Sequence, residues 1–256
     1  MNLTELKTAI LKDGVIDADE AKQVRDAIFA DGTIDREEAD FLFDVNDAVS
    51  GKANHASWQA LFVEAISKHV LSDEKTPGVL DADELGWLVS KIQGDGAVDG
   101  AELALVIEIA RAAKSTPEAF QDFALRTLKS SILADGVVDA AEVEMIKTVI
   151  YGEGGSGGAG VSRAEADFLF DVNDGVTGKK NDGGWQKLIV DAISAHLLDD
   201  ETSPGVVDEA EGDWLMKRIE GDGNFDDVEK AILSNLKAKA KSVSGKLKFT
   251  IEMHKL

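Results

Sequence analysis

The stretch DGVIDADE, Asp13 to Glu20, decides how the rest of the chain is read. Gly14 suits the left-handed position that ends a helix. Asp17 suits the N-cap of the next one, and Glu20, three residues later, completes a capping box. Ile16 between them is placed to anchor the turn in a core. One residue resists this grammar. Asp13 follows a helix, where the macrodipole is negative and an acid costs a few tenths of a kcal/mol up to about one. Yet aspartate returns at the matching positions Asp31, Asp95, Asp135 and Asp222, which suggests that something positive offsets the repulsion.

Outward from that octapeptide, the chain repeats itself. LKTAILKDGVIDADE (6–20) returns as LKSSILADGVVDAAE (128–142), and EADFLFDVND (38–47) returns letter for letter at 165–174. SWQALFVEAISKHV (57–70) and KIQGDGAVDGAE (91–102) are echoed by GWQKLIVDAISAHL (184–197) and RIEGDGNFDDVE (218–229). This is a tandem duplication with a period of roughly 120 residues. In the second copy ADGTIDREE gives way to the glycine-rich GEGGSGGAGVSRAE (152–165), where one occurrence of the motif is lost to a flexible loop.

The periodicity is helical. Trp58, Leu61, Phe62, Ala65, Ile66 and His69 recur at three- and four-residue spacings. Alternation with period two is clear only in GKLKFTIEMHKL at the end. The expected fold is all-α: two tandem homologous helical domains of short antiparallel helices joined by acidic DG turns, at 1–120 and 121–243. A basic extended tail is expected at 244–256.

Of 256 residues, 49 are acidic and 27 basic, a formal net charge of -22. Such a field repels nucleic acid and favours cations or a basic protein partner. The chain has no cysteine, which excludes thiolate sites and disulfides. It shows no secretory leader and no apolar run of the roughly 18 residues that a membrane span needs, so a cytoplasmic location is expected. No nucleophile elbow, phosphate loop or HExxH pattern points to an enzyme.

In a calcium loop, ligands come from positions 1, 3, 5, 7, 9 and 12, with glycine at 6 and an apolar residue at 8. Asp13, Gly14, Ile16, Asp17 and Glu20 fall at positions 5, 6, 8, 9 and 12, but Ala9 and Leu11 cannot ligate at 1 and 3. Asp73, Asp81 and Glu84 in DEKTPGVLDADE take positions 1, 9 and 12, as do Asp200, Asp208 and Glu211 in DETSPGVVDEAE. Both have proline at position 5. The remaining turns offer Asp31, Asp35 and Glu38; Asp95, Asp99 and Glu102; Asp135, Asp139 and Glu142; and Asp222, Asp226 and Glu229. Successive turns are separated by one helix of roughly 15 Å. They therefore cannot share an ion, whereas in an up-and-down bundle the first turn would face the fourth and the second the third. On the repeated decapeptide, Asp40, Asp44 and Asp47 form an acidic stripe at i, i+4 and i+7. Like charges at that spacing destabilise a helix, so Asp44, Asp47, Asp171 and Asp174 are further ligand candidates.

The turns FADGTIDREE (29–38), GDGAVDGAE (94–102) and LADGVVDAAE (133–142) resemble those of the tellurite-resistance TerB family. The resemblance implies a compact all-helical domain whose acidic residues bind metal, working in bacterial stress responses. By resemblance Asp31, Asp35, Glu38, Asp135, Asp139 and Glu142 are metal-side candidates. Two functions are therefore expected to compete. One is a non-enzymatic binder of divalent cations, Ca2+ first and Mg2+ or Mn2+ next. The other is an acidic helical scaffold that docks a basic partner.

Overall fold

The computed structural model describes residues 3–72, 76–94, 96–152, 160–199, 203–221, 223 and 225–256. Those residues are predominantly helical, in the order α1 (Leu3–Ile10), α2 (Ala18–Ile28), α3 (Arg36–Val49), α4 (Ala56–Leu71), α5 (Ala82–Ile92), α6 (Gly100–Ala112), α7 (Glu118–Asp135), α8 (Ala140–Tyr151), α9 (Arg163–Val176), α10 (Gly183–Leu198), α11 (Glu209–Ile219), α12 (Asp227–Lys239) and α13 (Gly245–Met253). The expected all-α fold is what the chain adopts. The sheet among the described residues is one parallel pair of two-residue strands, β1 (Val206–Val207) and β2 (Ser242–Val243).

The chain divides into two compact units. One takes in residues 3–124, the other 125–152 and 160–256, so α7 contributes residues to both. In the first unit α4 is the core helix, packed by α2, α3 and α6. Its apolar face places Trp58, Leu61, Phe62, Ala65 and Ile66 out of solvent. Phe62 meets the edge of Phe43 at 5.1 Å, and Phe43 meets Trp87 at 5.6 Å. Each large apolar side chain so buried stabilises the fold by about 1.5–3 kcal/mol. In the second unit α10 has the same role among α8, α9 and α12, with Trp185, Ile189, Ala192 and Ile193 buried.

A polar tie crosses the first core. Asn46, buried on α3, accepts from the Trp58 indole at 3.2 Å and donates to Asp99 Oδ2 at 2.8 Å. One amide thus joins α3, α4 and the N-terminus of α6. Asn173 donates to Asp226 Oδ2 at 2.8 Å, and Thr177 adds a hydroxyl to the same oxygen at 2.9 Å.

The expected extended tail is instead helix α13. The alternation in GKLKFTIEM also holds an i, i+4 pair, and it is that pair, Leu247 and Ile251, that is buried. Phe249 and Met253, which extended chain would have placed beside them, stand 64% and 61% exposed. Ser244 caps the helix by accepting from the Leu247 N–H. Gly212 allows the close approach of α13 to α11, because a Cβ there would lie 2.1 Å from the Ser244 hydroxyl.

Candidate functional site

The acidic turns are built from the backbone up. In the first, Gly14 has φ +79°, and Asp13 Oδ1 accepts from the Val15 N–H at 3.2 Å. Buried Ile16 donates its N–H to Asn54 Oδ1 and accepts from the His55 N–H at 2.8 Å. Asp17 Oδ1 then accepts from the Glu20 N–H at 2.8 Å, while Glu20 Oε2 accepts from the Asp17 N–H. In the second, Asp31 Oδ1 accepts from both the N–H and the hydroxyl of Thr33, each at 2.9 Å. These bonds hold the Asp31 carboxyl below its usual range. In the second unit, Asp135 accepts from the Val137 N–H at 3.0 Å. Of the aspartates that looked misplaced, Asp13 and Asp31 are turn residues and Asp135 is the last residue of α7, and each of these three satisfies a backbone donor two positions on.

Capping boxes follow throughout: Asp17–Glu20, Asp35–Glu38, Asp81–Glu84, Asp99–Glu102, Asp139–Glu142, Asp208–Glu211 and Asp226–Glu229. The turn thought lost beside the glycine-rich insertion keeps its closing half. Ser162 and Glu165 form the box, and the Val161 carbonyl accepts from His196 Nδ1 at 2.7 Å, as the Ile34 carbonyl accepts from His69 at 2.8 Å. Asp73, Asp95, Asp200 and Asp222 lie outside the described residues.

The turns sort to the two ends of the core helix in the expected order. The first and fourth meet its start, through Asn54, His55 and the 3.3 Å bond from Gln59 to the Gly100 carbonyl. The second and third meet its end, where Lys68 donates to the Gly32 carbonyl and Gly78 to that of Leu71. Among the described residues, no three Asp, Glu, His or Cys side chains converge in a way that could hold a metal ion. Asp99 and Asp226 have both oxygens engaged, one by the cap and one by the buried asparagine.

The decapeptide stripes meet internal cations. Lys91 and the Trp87 indole reach Asp40, and Lys7 reaches Asp44 at 3.0 Å. In the second unit Asp171 takes Lys129 at 3.0 Å and Arg218 at 2.6 Å, with Asp174 3.7 Å from Arg218. Burial pushes the Asp171 carboxyl up, but these two partners outweigh it and hold it below the ordinary range. Asp47 is exposed on the same face of α3. Glu64, which shares a helix with His69, is bound through both oxygens by Arg25 at 2.7 Å.

Two grooves stand apart from this neutralised surface. In the first unit, α1, α2 and the start of α3 enclose about 720 Å³ over Leu3, Leu6, Ala27 and Ala30, rimmed by Asp26, Asp35, Glu37 and Glu38. Burial raises the Glu38 carboxyl above its ordinary range, and Asp35, Asp31 and Glu37 add to the rise. Glu142 is raised likewise, by burial and then by Asp135 and Asp139. In the second unit, a groove of about 380 Å³ over Leu236, Ala240, Val243 and Ile251 is rimmed by Lys237, Lys241 and Lys248. Sequence patterning pointed to the turns and missed both grooves, which arise from how successive helices, α1 to α3 and α12 with α13, pack against one another.

Compared with protein families, curated proteins and solved structures, the chain matches none. No helix among the described residues is long and apolar enough to cross a membrane.

The histidine pair yields a pH test. His196 lies 5.2 Å from the Trp214 ring, across which Arg163 stacks at 4.0 Å. Burial lowers its pKa from the ordinary 6.5; Arg163 lowers it further, while the Val161 carbonyl, Glu211 and Asp167 oppose. A depressed histidine favours the fold while neutral. Its contribution is complete above the unfolded value of 6.5 and is lost as pH falls below it toward the folded value. Thermal melts between about pH 7.5 and 5 are expected to show falling stability in the parent and a flatter profile in His196→Phe.

Proposed function

We propose that this is a cytoplasmic, non-enzymatic binding protein that docks a basic amphipathic segment of a partner in the acid-rimmed groove of its first unit. The observation that carries this is the groove's composition, an apolar floor under Asp26, Asp35, Glu37 and Glu38. Elsewhere the protein's own Lys and Arg side chains meet the acidic stripes. Lys22 pairs with Asp26 across an open surface, where both side chains are mostly exposed, and such a pair is worth little. Apolar floor and acidic rim together suit a helix with Lys or Arg flanking a leucine face, a ligand that a bare ion does not resemble.

A labelled synthetic peptide of that pattern is expected to bind, with affinity falling at least about tenfold between 0.05 and 0.5 M salt as the contacts are screened. Asp26→Lys with Glu37→Lys is expected to weaken it by a similar factor while far-UV circular dichroism is unchanged, and chelator is expected to have no effect. Absent binding, or binding indifferent to the two substitutions, would contradict the proposal.

A second reading retains the divalent cation, Ca2+ before Mg2+ or Mn2+, and with it the TerB-like role in bacterial stress. It rests on Glu38 and Glu142, carboxylates raised first by burial and then by neighbouring acids, at turns of the resembling pattern. A cation there would relieve that repulsion. On this reading, calorimetric titration of chelator-stripped protein with calcium gives a saturable heat that Glu38→Gln with Glu142→Gln removes. Saturation at about a hundred times Kd would stabilise the fold by about 2.7 kcal/mol. No heat and no melting shift in millimolar calcium would exclude this second reading.

A further inference from the structure

The basic, partly apolar end of the chain has no place in the binding site so far described. Residues 237–256, KAKAKSVSGKLKFTIEMHKL, carry six lysines against one glutamate in a chain of net charge -22. Helix α13 seats Leu247 and Ile251 in the core and turns Phe249 and Met253 outward, 64% and 61% exposed. Those two are four residues apart and Lys246 precedes Phe249 by three, so the three side chains form one ridge. A bulky apolar ridge with a cationic border is the complement of an apolar groove with an anionic rim, and this chain carries both.

We propose that the α13 ridge of one copy docks in the acid-rimmed groove of a second copy, so that the protein self-associates head to tail. The proposal rests on the docking role given to that groove and names its occupant. Ridge and groove are different patches, so the contact is heterologous, and copies joined by it form a closed ring where the rotation closes and an open chain where it does not. Two bodies of charge -22 also repel at long range. That repulsion is screened beyond about 10 Å at 0.1 M salt, where contact pairs persist, and at about 0.5 M the contact pairs weaken too. Association should therefore be strongest near the lower of these salt concentrations.

Sedimentation velocity on the full chain tests this. At about 0.1 M salt the weight-average mass is expected to rise above the 27.3 kDa monomer as concentration rises from about 10 to 500 µM. Phe249→Glu with Met253→Glu, and separately Asp26→Lys with Glu37→Lys, are each expected to leave a monomer. All four sites are exposed, and unchanged circular dichroism would show each variant folded. Mixing the two variants should restore one intact ridge–groove contact and stop at a heterodimer. A parent that stays monomeric at every concentration, association that survives both double substitutions, or a mixture that does not pair would each overturn the proposal. So would binding of α13 to phosphatidylglycerol vesicles in a chain that does not self-associate. If the synthetic basic peptide binds the groove while the chain stays monomeric, the docking function stands and only the second copy is excluded as occupant.

Discussion

A helix leaves its first N–H groups without partners, and in this protein aspartate and glutamate side chains take them up. The acceptor oxygen of Asp17, Asp35, Asp81, Asp99, Asp139, Asp208 or Asp226 starts a helix, and the glutamate three residues on returns the bond. Each cap contributes about 1 kcal/mol. The same chemistry shapes the turns before them, where Asp13, Asp31 and Asp135 accept from the backbone two residues later. The anchoring residues Ile16, Ile34 and Val138 are buried through these turns, and the core helix α4 meets two of them at opposite ends. A fold of many short helices requires many helix starts, and much of the acidic composition follows from that requirement.

The carboxylates then differ in what surrounds them. Those of the repeated decapeptide are drawn to Lys7, Lys91, Lys129 and Arg218. Asp99 and Asp226 are drawn into the interior by Asn46 and Asn173. At Glu38 and Glu142 burial raises the carboxyl, and neighbouring acids add to the rise. Glu38 also adjoins the apolar floor of the groove at α1, α2 and α3, and the proposed docking rests on that juxtaposition.

Much of the fold was legible in residue order because its rules are local. Gly14, Gly32, Gly78, Gly96, Gly136, Gly205 and Gly223 all adopt positive φ, and the boxes stand at the spacing that predicts them. Buried Trp58 and Trp185 follow from helical periodicity, whereas Trp87 and Trp214 are only half-buried, with their indoles on Asp40 and Asp167. The tail misled because an alternating pattern contains every fourth residue as well as every second, and packing of Leu247 and Ile251 chose the helix. Asp13 misled because α1 ends at Ile10, so the acid lies beyond the last turn and faces a donor. Arg25 on Glu64, Arg218 on Asp171 and the groove rim bring together residues from separate helices, and such pairings leave no trace in local spacing.

If the turn carboxylates serve as hydrogen-bond acceptors, their charge is not needed to hold the fold. Asparagine keeps the acceptor and discards the charge; alanine discards both. Urea unfolding of the triple replacement of Asp17, Asp35 and Asp139 separates the two. The asparagine protein is expected to remain within about 1 kcal/mol of the parent and the alanine protein to lose about 3 kcal/mol, near one for each cap. Equal losses in the two would mean that the negative charge itself sustains the turns, as a bound cation would require, and would contradict this account.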